Sequence, residues 1–282
     1  MQLTFLGTAA AESYPSAFCR CDNCERARAL GGPSLRKRSA ALIDDELLID
    51  IGPDVAASAA SLGRSLTGVR HCLQTHAHTD HFDPLPFLSR GLNWRIVGRQ
   101  RLNFYASGGS LRRIADILRG EFGAAEFLDP AVGERLDLAI HEVEPLRPFA
   151  AGRYRVTPFP ANHDPAMEPL LYAIEADGRC LFYGTDTTAL PEETWQGFRQ
   201  HRMRFDVVIL DHTFGDNARF DGHLNARLFG EQVARMREEG VLNDGARIFA
   251  QHISHADNLP HPELVEIAAR RGYEVAYDGL TV

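Results

Sequence analysis

The stretch His76-Ala-His78-Thr-Asp80-His81 carries the strongest structural signal in the sequence. It follows the apolar run at residues 69–74, which is typical of a buried strand. Residues two apart in an extended segment point the same way, so His76 and His78 can hold one cation while Asp80 and His81 face a second. Imidazole together with carboxylate favours zinc, manganese or iron over calcium or magnesium. A histidine-rich surface loop is the alternative, but chance placement of 12 histidines among 282 residues rarely gives this spacing.

Two coordination spheres need more than four donors, so further ligands must come from the ends of later strands. Three candidates each follow a short apolar run, namely His163, Asp186 and His252. The two oxygens of Asp186 could bridge two cations. Taken alone, each of the three is more often a capping or turn residue, so their assignment depends on the segment at residues 76–81.

Composition and charge bound the class of protein. The apolar fraction of 44% and charged fraction of 24% are those of a folded globular chain. A net charge of -8 does not favour binding to nucleic acid or to an anionic membrane. We find no apolar stretch of bilayer length and no leader-like start, so a cytoplasmic location is expected. Without repeats or linker-like runs, residues 1–282 are expected to form one domain.

Short strand-like runs, one of them at residues 94–97, alternate with helical patterns. This alternation favours layers in which helices cover the outer faces of sheets. The segment at residues 120–151 is the least regular and is expected to be a surface loop, with an insertion or a lid as the alternative. The basic run at residues 36–38 is expected to be a solvated strand entrance. Helical periodicity is clearest at residues 54–62, 110–118, 225–239 and 262–271.

Three cysteines near the start form a second candidate metal site. Cys19, Cys21 and Cys24 are too crowded to pair neatly as disulfides, and three close thiolates in a reducing compartment readily bind zinc. A fourth ligand is then required, and a turn without metal is the alternative. Cys72 and Cys180 lie in apolar runs and are expected to be core thiols.

The order of these motifs resembles the metallo-β-lactamase superfamily of hydrolases, as do TFLGTAA at residues 4–10 and LLIDIGPD at residues 47–54. Within it the chain is similar to phosphoribosyl cyclic phosphate phosphodiesterases of the PhnP type, through CRCDNC at residues 19–24, YGTDTTALP at 183–191 and QHISHADN at 251–258. The resemblance implies an α/β (α+β) fold, the αββα four-layer sandwich, with two mixed β-sheets and helices on the outer faces.

The resemblance also implies roles for individual residues. His255 would complete a closed Cys3His zinc site, which is structural. His223 would contact the substrate and hydrogen-bond a phosphoryl oxygen or protonate the departing alkoxide, so His223 and Asp80 are the expected catalytic residues. Asp211 could orient a ligating imidazole, while His212 has either a similar supporting role or none. One metal would be held by His76, His78 and His163, and the other by Asp80, His81 and His252, with Asp186 between them.

The implied activity is hydrolysis of a small anionic cyclic phosphodiester, either a phosphoribosyl cyclic phosphate or a cyclic nucleotide, by hydroxide shared between two metal ions. The expected cofactors are two catalytic divalent ions (Mn²⁺, Zn²⁺ or iron) and one structural Zn²⁺. Nucleic acid and membrane are not expected partners, and a homodimer is left open. The alternatives are a tRNA 3′-endonuclease, a lactonase or a thioesterase of the same fold, and a non-catalytic carrier related to the pyrroloquinoline quinone biosynthesis protein.

Overall fold

Two β-sheets lie face to face and share an apolar interior. The computed structural model describes residues 1–91, 96–120, 127–219 and 221–282. One cluster of buried side chains draws on both sheets, including Leu73 from the first and Ile209 from the second. This cluster is the centre of the sandwich.

Both sheets are mixed. In the first, strands β1 to β6 follow chain order across the sheet, antiparallel up to β3 and parallel from β3 to β6. In the second, β7 to β10 are antiparallel and β10 to β13 parallel. The first sheet comprises β1 Leu3–Gly7, β2 Ala40–Ile43, β3 Leu47–Ile49, β4 His71–Leu73, β5 Leu102–Ala106 and β6 Leu138–Glu142. The second comprises β7 Phe149–Ala151, β8 Tyr154–Pro160, β9 Leu170–Ala176, β10 Arg179–Gly184, β11 Phe205–Asp211, β12 Leu242–Gln251 and β13 Glu274–Val275.

Helices cover the outer face of each sheet, which gives four layers. One buried cluster joins the first sheet to α2 to α5, and another joins the second sheet to α1 and α6 to α8. None of the described helices is both long and apolar enough to cross a bilayer. The helices are α1 Asp22–Leu30, α2 Val55–Ser61, α3 Leu85–Gly91, α4 Gly108–Leu118, α5 Pro130–Leu136, α6 Glu192–Gln200, α7 Ala226–Glu238 and α8 His261–Arg271.

The sequence of β11 shows why the central strands read as continuous apolar runs. Val207 and Ile209 belong to the interior between the sheets, whereas Val208 and Leu210 pack beneath the helices. Successive side chains of a strand point to opposite faces, and here both faces are buried. Because each central strand must satisfy two apolar layers, it is nearly devoid of polar residues until it ends.

The carboxyl ends of several strands meet at one edge of the sandwich. Strands β10, β11 and β12 are parallel, and β8 runs in the same direction because two antiparallel steps separate it from β10. Residues that follow these strands are therefore brought together although they are distant in sequence. The same edge receives the loops after β3 and β4 of the first sheet.

The segment at residues 120–151 is not a surface loop, so that expectation is wrong. Beyond residues 121–126, which lie outside the description, it contains α5, β6 and β7. Helix α5 has seven residues, too few for a clear helical period, and β6 and β7 are edge strands whose exposed positions interrupt the apolar pattern. Because these edge strands are not buried along their whole length, their sequences lack the continuous apolar run that predicts a strand.

Two further expectations from the sequence concern the strand at residues 94–97 and the basic run at residues 36–38. The strand expected at residues 94–97 lies partly outside the described residues, and Ile96 and Val97 are exposed and not in a strand. Arg36, expected to be solvated, is buried, with 3% of its surface exposed. Its guanidinium donates to Thr8 Oγ1 at 2.9 Å and contacts His261 Nδ1 at 2.8 Å, and burial lowers its pKa to about 10. Arg36 is thus part of the structural framework.

Truncation of the outer core tests the packing of α6 on the second sheet. Phe182 is fully buried, with its ring 5.1 Å from that of Phe198 and 5.2 Å from that of Phe205. Phe182→Ala is expected to lower the free energy of unfolding by about 3–5 kcal/mol in urea denaturation, through lost burial and a cavity. Phe18→Ala, which removes a fully exposed ring, is the matched control and should change it by less than about 0.5 kcal/mol. A similar loss in both variants would contradict this packing.

Candidate metal centre

The histidine-rich loop is fixed from within by Gln74, which follows β4. Its buried side-chain amide donates to the carbonyl oxygen of His76 at 2.7 Å and to that of His81 at 2.9 Å. These two bonds join the ends of the loop and hold it against the sheet. The side chains of His76, Asp80 and His81 are consequently buried at the strand edge rather than free in solvent.

Three imidazoles form the first candidate ligand group. Nε2 of His76 lies 2.9 Å from Nδ1 of His78, and Nε2 of His163 lies 3.2 Å from the same nitrogen. The three ring nitrogens are within 4.8 Å of one another. A single ring nitrogen cannot satisfy two others by hydrogen bonding, because it offers one proton or one lone pair. Such convergence suits a shared cation.

The second group adjoins the first and is wholly buried. It contains Asp80, His81, Asp186 and His252. The two oxygens of Asp186 each approach a different imidazole, with Oδ2 3.1 Å from His81 Nε2 and Oδ1 3.1 Å from His252 Nε2. The rings of His76 and His81, one from each group, have centroids 4.3 Å apart. All seven ligands predicted from the sequence therefore lie in two neighbouring groups.

The donor set fits divalent cations. Nε2 of His81 and Nε2 of His252 are buried and make no hydrogen bond within the described chain, although carboxylate oxygens lie close by. Burial alone would raise the pKa of Asp186, but the imidazoles of His252 and His81 outweigh it and hold the pKa well below its usual value. Orphaned imidazole nitrogens beside ionised buried carboxylates need a positive charge between them, which metal ions supply.

In four of the histidines, the ring nitrogen that points away from the site contacts a neighbouring residue. Such contacts fix the tautomer and direct Nε2, with its lone pair, into the site. The outward Nδ1 atoms lie 3.0 Å from Thr75 Oγ1 (His76), 2.7 Å from Asp50 Oδ2 (His81), 2.8 Å from the carbonyl oxygen of Gly222 (His163) and 2.8 Å from Thr213 Oγ1 (His252).

Asp50 is a functional residue that the sequence reasoning missed. It follows β3, is fully buried and has a φ of 62°. Besides its contact with His81, it accepts hydrogen bonds from the backbone and hydroxyl of Thr75, both within 2.9 Å. The signal was present in LLIDIGPD at residues 47–54, because a ligating histidine usually has a carboxylate or carbonyl partner.

Asp211 positions His223 rather than a predicted metal ligand. Oδ2 of Asp211 lies 2.8 Å from His223 Nδ1 but 3.7 Å from His252 Nδ1. Burial alone would lower the pKa of His223, but the Asp211 carboxylate outweighs it, and the pKa rises to about 9. Nε2 of His223 has no hydrogen-bond partner within the described chain, and His223 is one of the residues that line the cavity. His212 is bonded to Asn258 and Tyr273, so its role is structural.

The cysteine cluster forms a separate site. The thiol sulphurs of Cys19, Cys21 and Cys24 and a ring nitrogen of His255 lie within 4.8 Å of one another. Nδ1 of His255 is 3.5 Å from Cys21 Sγ, and Asn23 Nδ2 donates to the His255 carbonyl at 3.0 Å. The backbone N–H of Cys21 lowers the pKa of Cys19, which favours its thiolate. The cluster ties the start of α1 to the loop that carries His255.

Comparison with known proteins agrees with this geometry. The profile of the β-lactamase superfamily domain matches residues 45–253. The chain belongs to the β-lactamase superfamily. The predicted superfamily and its four-layer fold are thereby confirmed, and the fold family implies divalent metal ions.

Several solved structures share the fold. A diphosphatase from the PhnP family has a TM-score of 0.75 at 22% identity, over 100% of this chain and 96% of that one. Zn²⁺-bound PqqB from Methylobacterium extorquens has a TM-score of 0.68 at 20% identity, over 100% and 99%. Human tRNase Z, short form, has a TM-score of 0.65 at 18% identity, over 100% and 98%. No curated protein sequence matches the chain. At these identities the likeness shows the fold alone.

Removal of the Asp50 carboxylate is expected to loosen the metal centre. Asp50→Ala should weaken binding of divalent cations about 10- to 100-fold, because His81 loses the contact that fixes its tautomer and orientation. Chelator competition would measure the affinity. Asp45→Ala is the matched control, since Asp45 shares a left-handed backbone but has a side chain 54% exposed. Equal cation affinity in both variants would contradict a supporting role for Asp50.

Proposed function

We propose that this hydrolase opens a small cyclic phosphodiester, such as a phosphoribosyl cyclic phosphate or a cyclic nucleotide, with two divalent cations. The observation that supports this most strongly is the placement of His223 beside both ligand groups, in one cavity of about 440 Å³. Substrate, cations and a proton donor can thus meet at one point. The volume lies in the range of small-molecule sites.

The proposed cations are manganese, zinc or iron, which accept both imidazole and carboxylate. When bound, they would lower the pKa of water and neutralise charge on phosphoryl oxygens. The proposed ligands are His76, His78 and His163 for one ion and Asp80, His81 and His252 for the other, with Asp186 between them.

His223 is the proposed proton donor. Asp211 holds its Nδ1 at 2.8 Å, and the Asp211 carboxylate is itself fixed by the backbone N–H groups of Thr213 at 2.9 Å and Leu224 at 3.1 Å. The imidazole therefore keeps one orientation, with Nε2 toward the substrate. From there it can donate a proton to the alkoxide that leaves phosphorus, or hydrogen-bond a phosphoryl oxygen. Asp80, at the cavity wall, is proposed to orient the attacking water by accepting its hydrogen bond.

The charge of the cavity wall favours a small ester over a tRNA precursor. Beyond the ligand groups, the described lining residues include the carboxylates of Glu12, Asp221 and Asp257, whereas the cationic side chains are those of Arg219 and of His223 with its raised pKa. An RNA backbone is bound through many basic contacts, and an acidic rim opposes it. We therefore rank the tRNA endonuclease activity lower.

We also propose that Cys19, Cys21, Cys24 and His255 hold one structural zinc. Three thiolates and one imidazole make a closed tetrahedral set with no position left for substrate. Such an ion would cross-link the amino-terminal helix α1 to the loop after β12, which carries His252. Its contribution is to hold that loop in place.

Turnover of a substrate panel tests the proposed activity. Cyclic phosphodiesters should have a higher kcat/KM than a linear phosphodiester, a lactone, a thioester or a tRNA precursor. His223→Ala should lower kcat/KM for the cyclic phosphodiester by about 10²- to 10⁴-fold, because the leaving alkoxide loses its proton donor. Metal content should not change.

His141→Ala is the control for loss of an imidazole outside the site, because His141 lies in the edge strand β6, where its ring stacks on that of Tyr105. This variant should keep wild-type turnover. Preference for the tRNA precursor, the lactone or the thioester would contradict the proposal. Absence of turnover in metal-loaded protein would favour a carrier.

Metal analysis separates the two proposed kinds of site. The wild type should hold about three ions per chain, two in the catalytic pair and one in the cysteine site. Asp186→Ala should lose the pair and keep one zinc, whereas Cys21→Ser should lose that zinc alone. Cys180→Ala, which alters a buried thiol of β10, should retain all three. A wild-type protein with only the cysteine-site zinc would contradict the catalytic pair.

A further inference from the structure

We propose that Thr213 is a positioning residue whose single hydroxyl orients both the proton donor His223 and the metal ligand His252. The inference rests on the proposed function and adds to it a residue that acts through two others. It is carried by the contacts of the hydroxyl group, by the stacking of the two imidazoles and by the backbone conformation of His252.

The backbone of Thr213 is fixed on both sides where it follows β11. Its N–H donates to Asp211 Oδ1 at 2.9 Å, and its carbonyl oxygen accepts from Asn258 Nδ2 at 2.9 Å. Asn258 is itself buried and also donates to the carbonyl oxygen of His212 at 3.1 Å. The Thr213 side chain is buried, and a β-branched side chain has few χ1 rotamers, so its hydroxyl has a defined position.

The hydroxyl oxygen of Thr213 contacts two imidazoles. Oγ1 is 2.8 Å from His252 Nδ1 and 3.2 Å from His223 Nδ1, and it donates to the His252 carbonyl oxygen at 3.1 Å. A hydroxyl has one proton and two lone pairs. When the proton is given to the carbonyl oxygen, the two lone pairs accept from the two Nδ1–H groups. Both rings are then held with a hydrogen on Nδ1, which leaves the lone pair of His252 on Nε2.

The two imidazoles also pack on each other. The rings of His223 and His252 are stacked, with centroids 5.2 Å apart and an angle of 16° between their planes. Rotation of either ring would break its contact with Thr213 Oγ1 and disturb the stack. The orientation of the proton donor is therefore linked to the orientation of a metal ligand.

Asp211 does not provide this link. Its Oδ2 lies 2.8 Å from His223 Nδ1 but 3.7 Å from His252 Nδ1, which is beyond hydrogen-bond distance. The carboxylate thus holds one of the two imidazoles, whereas the hydroxyl of Thr213 is within hydrogen-bond distance of both.

The same hydroxyl supports an uncommon backbone conformation. His252 has a φ of 61°, in the left-handed region that residues with a β-carbon seldom adopt. Such a conformation persists where surrounding contacts maintain it. Because Thr213 Oγ1 contacts both the carbonyl oxygen and the ring of His252, it constrains the backbone and the side chain of this ligand together.

Cation affinity tests the effect on His252. Thr213→Val removes the hydroxyl and keeps the β-branch, and it should weaken binding of divalent cations about 10- to 100-fold in chelator competition, because His252 Nδ1 loses its partner. Thr213→Ala removes the same hydroxyl and should give the same loss, so the test does not depend on the folding of one variant. Thr213→Ser, which keeps the hydroxyl, should restore the wild-type affinity.

Thr4→Val is the matched control for loss of a buried hydroxyl. Thr4 lies in β1, is 5% exposed and pairs through its Oγ1 with that of Thr281 at 3.0 Å. This variant loses a hydrogen bond outside the cavity and should keep the wild-type affinity for cations and the wild-type turnover.

Turnover at saturating cation concentration tests the effect on His223. Thr213→Val should lower kcat for a cyclic phosphodiester about 10-fold with little change in KM, because a proton donor acts in the transition state. In the His223→Ala background the same substitution should have no further effect, since the group that it positions is absent. A purely structural role would give an equal loss of kcat in both backgrounds and would contradict the proposal.

Hydrogen exchange at His223 gives a readout that does not depend on turnover. In Zn²⁺-loaded protein with ¹⁵N-labelled histidine, the Nδ1 proton of His223 can be identified by its absence in His223→Ala. This proton should exchange with water about 10-fold faster in Thr213→Val than in the wild type or Thr4→Val. Unchanged cation affinity or unchanged exchange in Thr213→Val would overturn the proposal. If no cyclic phosphodiester is hydrolysed, the proposed function fails, and affinity and exchange still decide the role of Thr213.

Discussion

The burial of ionised carboxylates among imidazoles is the constraint on which the rest of this structure depends. Asp80 and Asp186 are enclosed at the strand edge, and the surrounding imidazoles hold their pKa values below the usual range. Charge in such a place must be matched by positive charge. The outward ring nitrogens of four histidines already contact neighbouring residues. The inward ring nitrogens and the carboxylate oxygens are therefore available to bind a positive charge. A pair of divalent cations meets both needs at once.

In this fold the strands form the structural framework, and the loops at their ends carry the residues of the metal centre. The strands are apolar on both faces and hold the two sheets together, while the polar residues occur where the strands end. Since β8, β10, β11 and β12 run in one direction, loops distant in sequence meet at a single edge. Rigid strands fix where each loop begins, and bonds such as those of Gln74 fix its path. Function can then vary in the loops without change to the core.

Much of the fold and of the candidate site could be predicted because the signals are local. The ligand spacing of the segment at residues 76–81 is visible within six consecutive residues, and His163, Asp186 and His252 each follow an apolar run. What escaped prediction depends on contacts between distant parts of the chain. Asp50 becomes a partner of His81 only when β3 and β4 pair, and Arg36 is buried by the final strand region around Ala276. The edge strands β6 and β7 bury one side each, so their sequences lack the apolar run that marked the others.

The central claim is that two adjoining groups of side chains hold a pair of cations, and anomalous diffraction from crystals of the metal-loaded protein tests it most directly. Data collected at the absorption edge of the bound metal should show two peaks at the strand edge, about 3.5 to 4 Å apart. One peak should lie among His76, His78 and His163, and the other beside Asp80, with Asp186 between them. A single peak, or none at this edge while the cysteine cluster is occupied, would contradict the account.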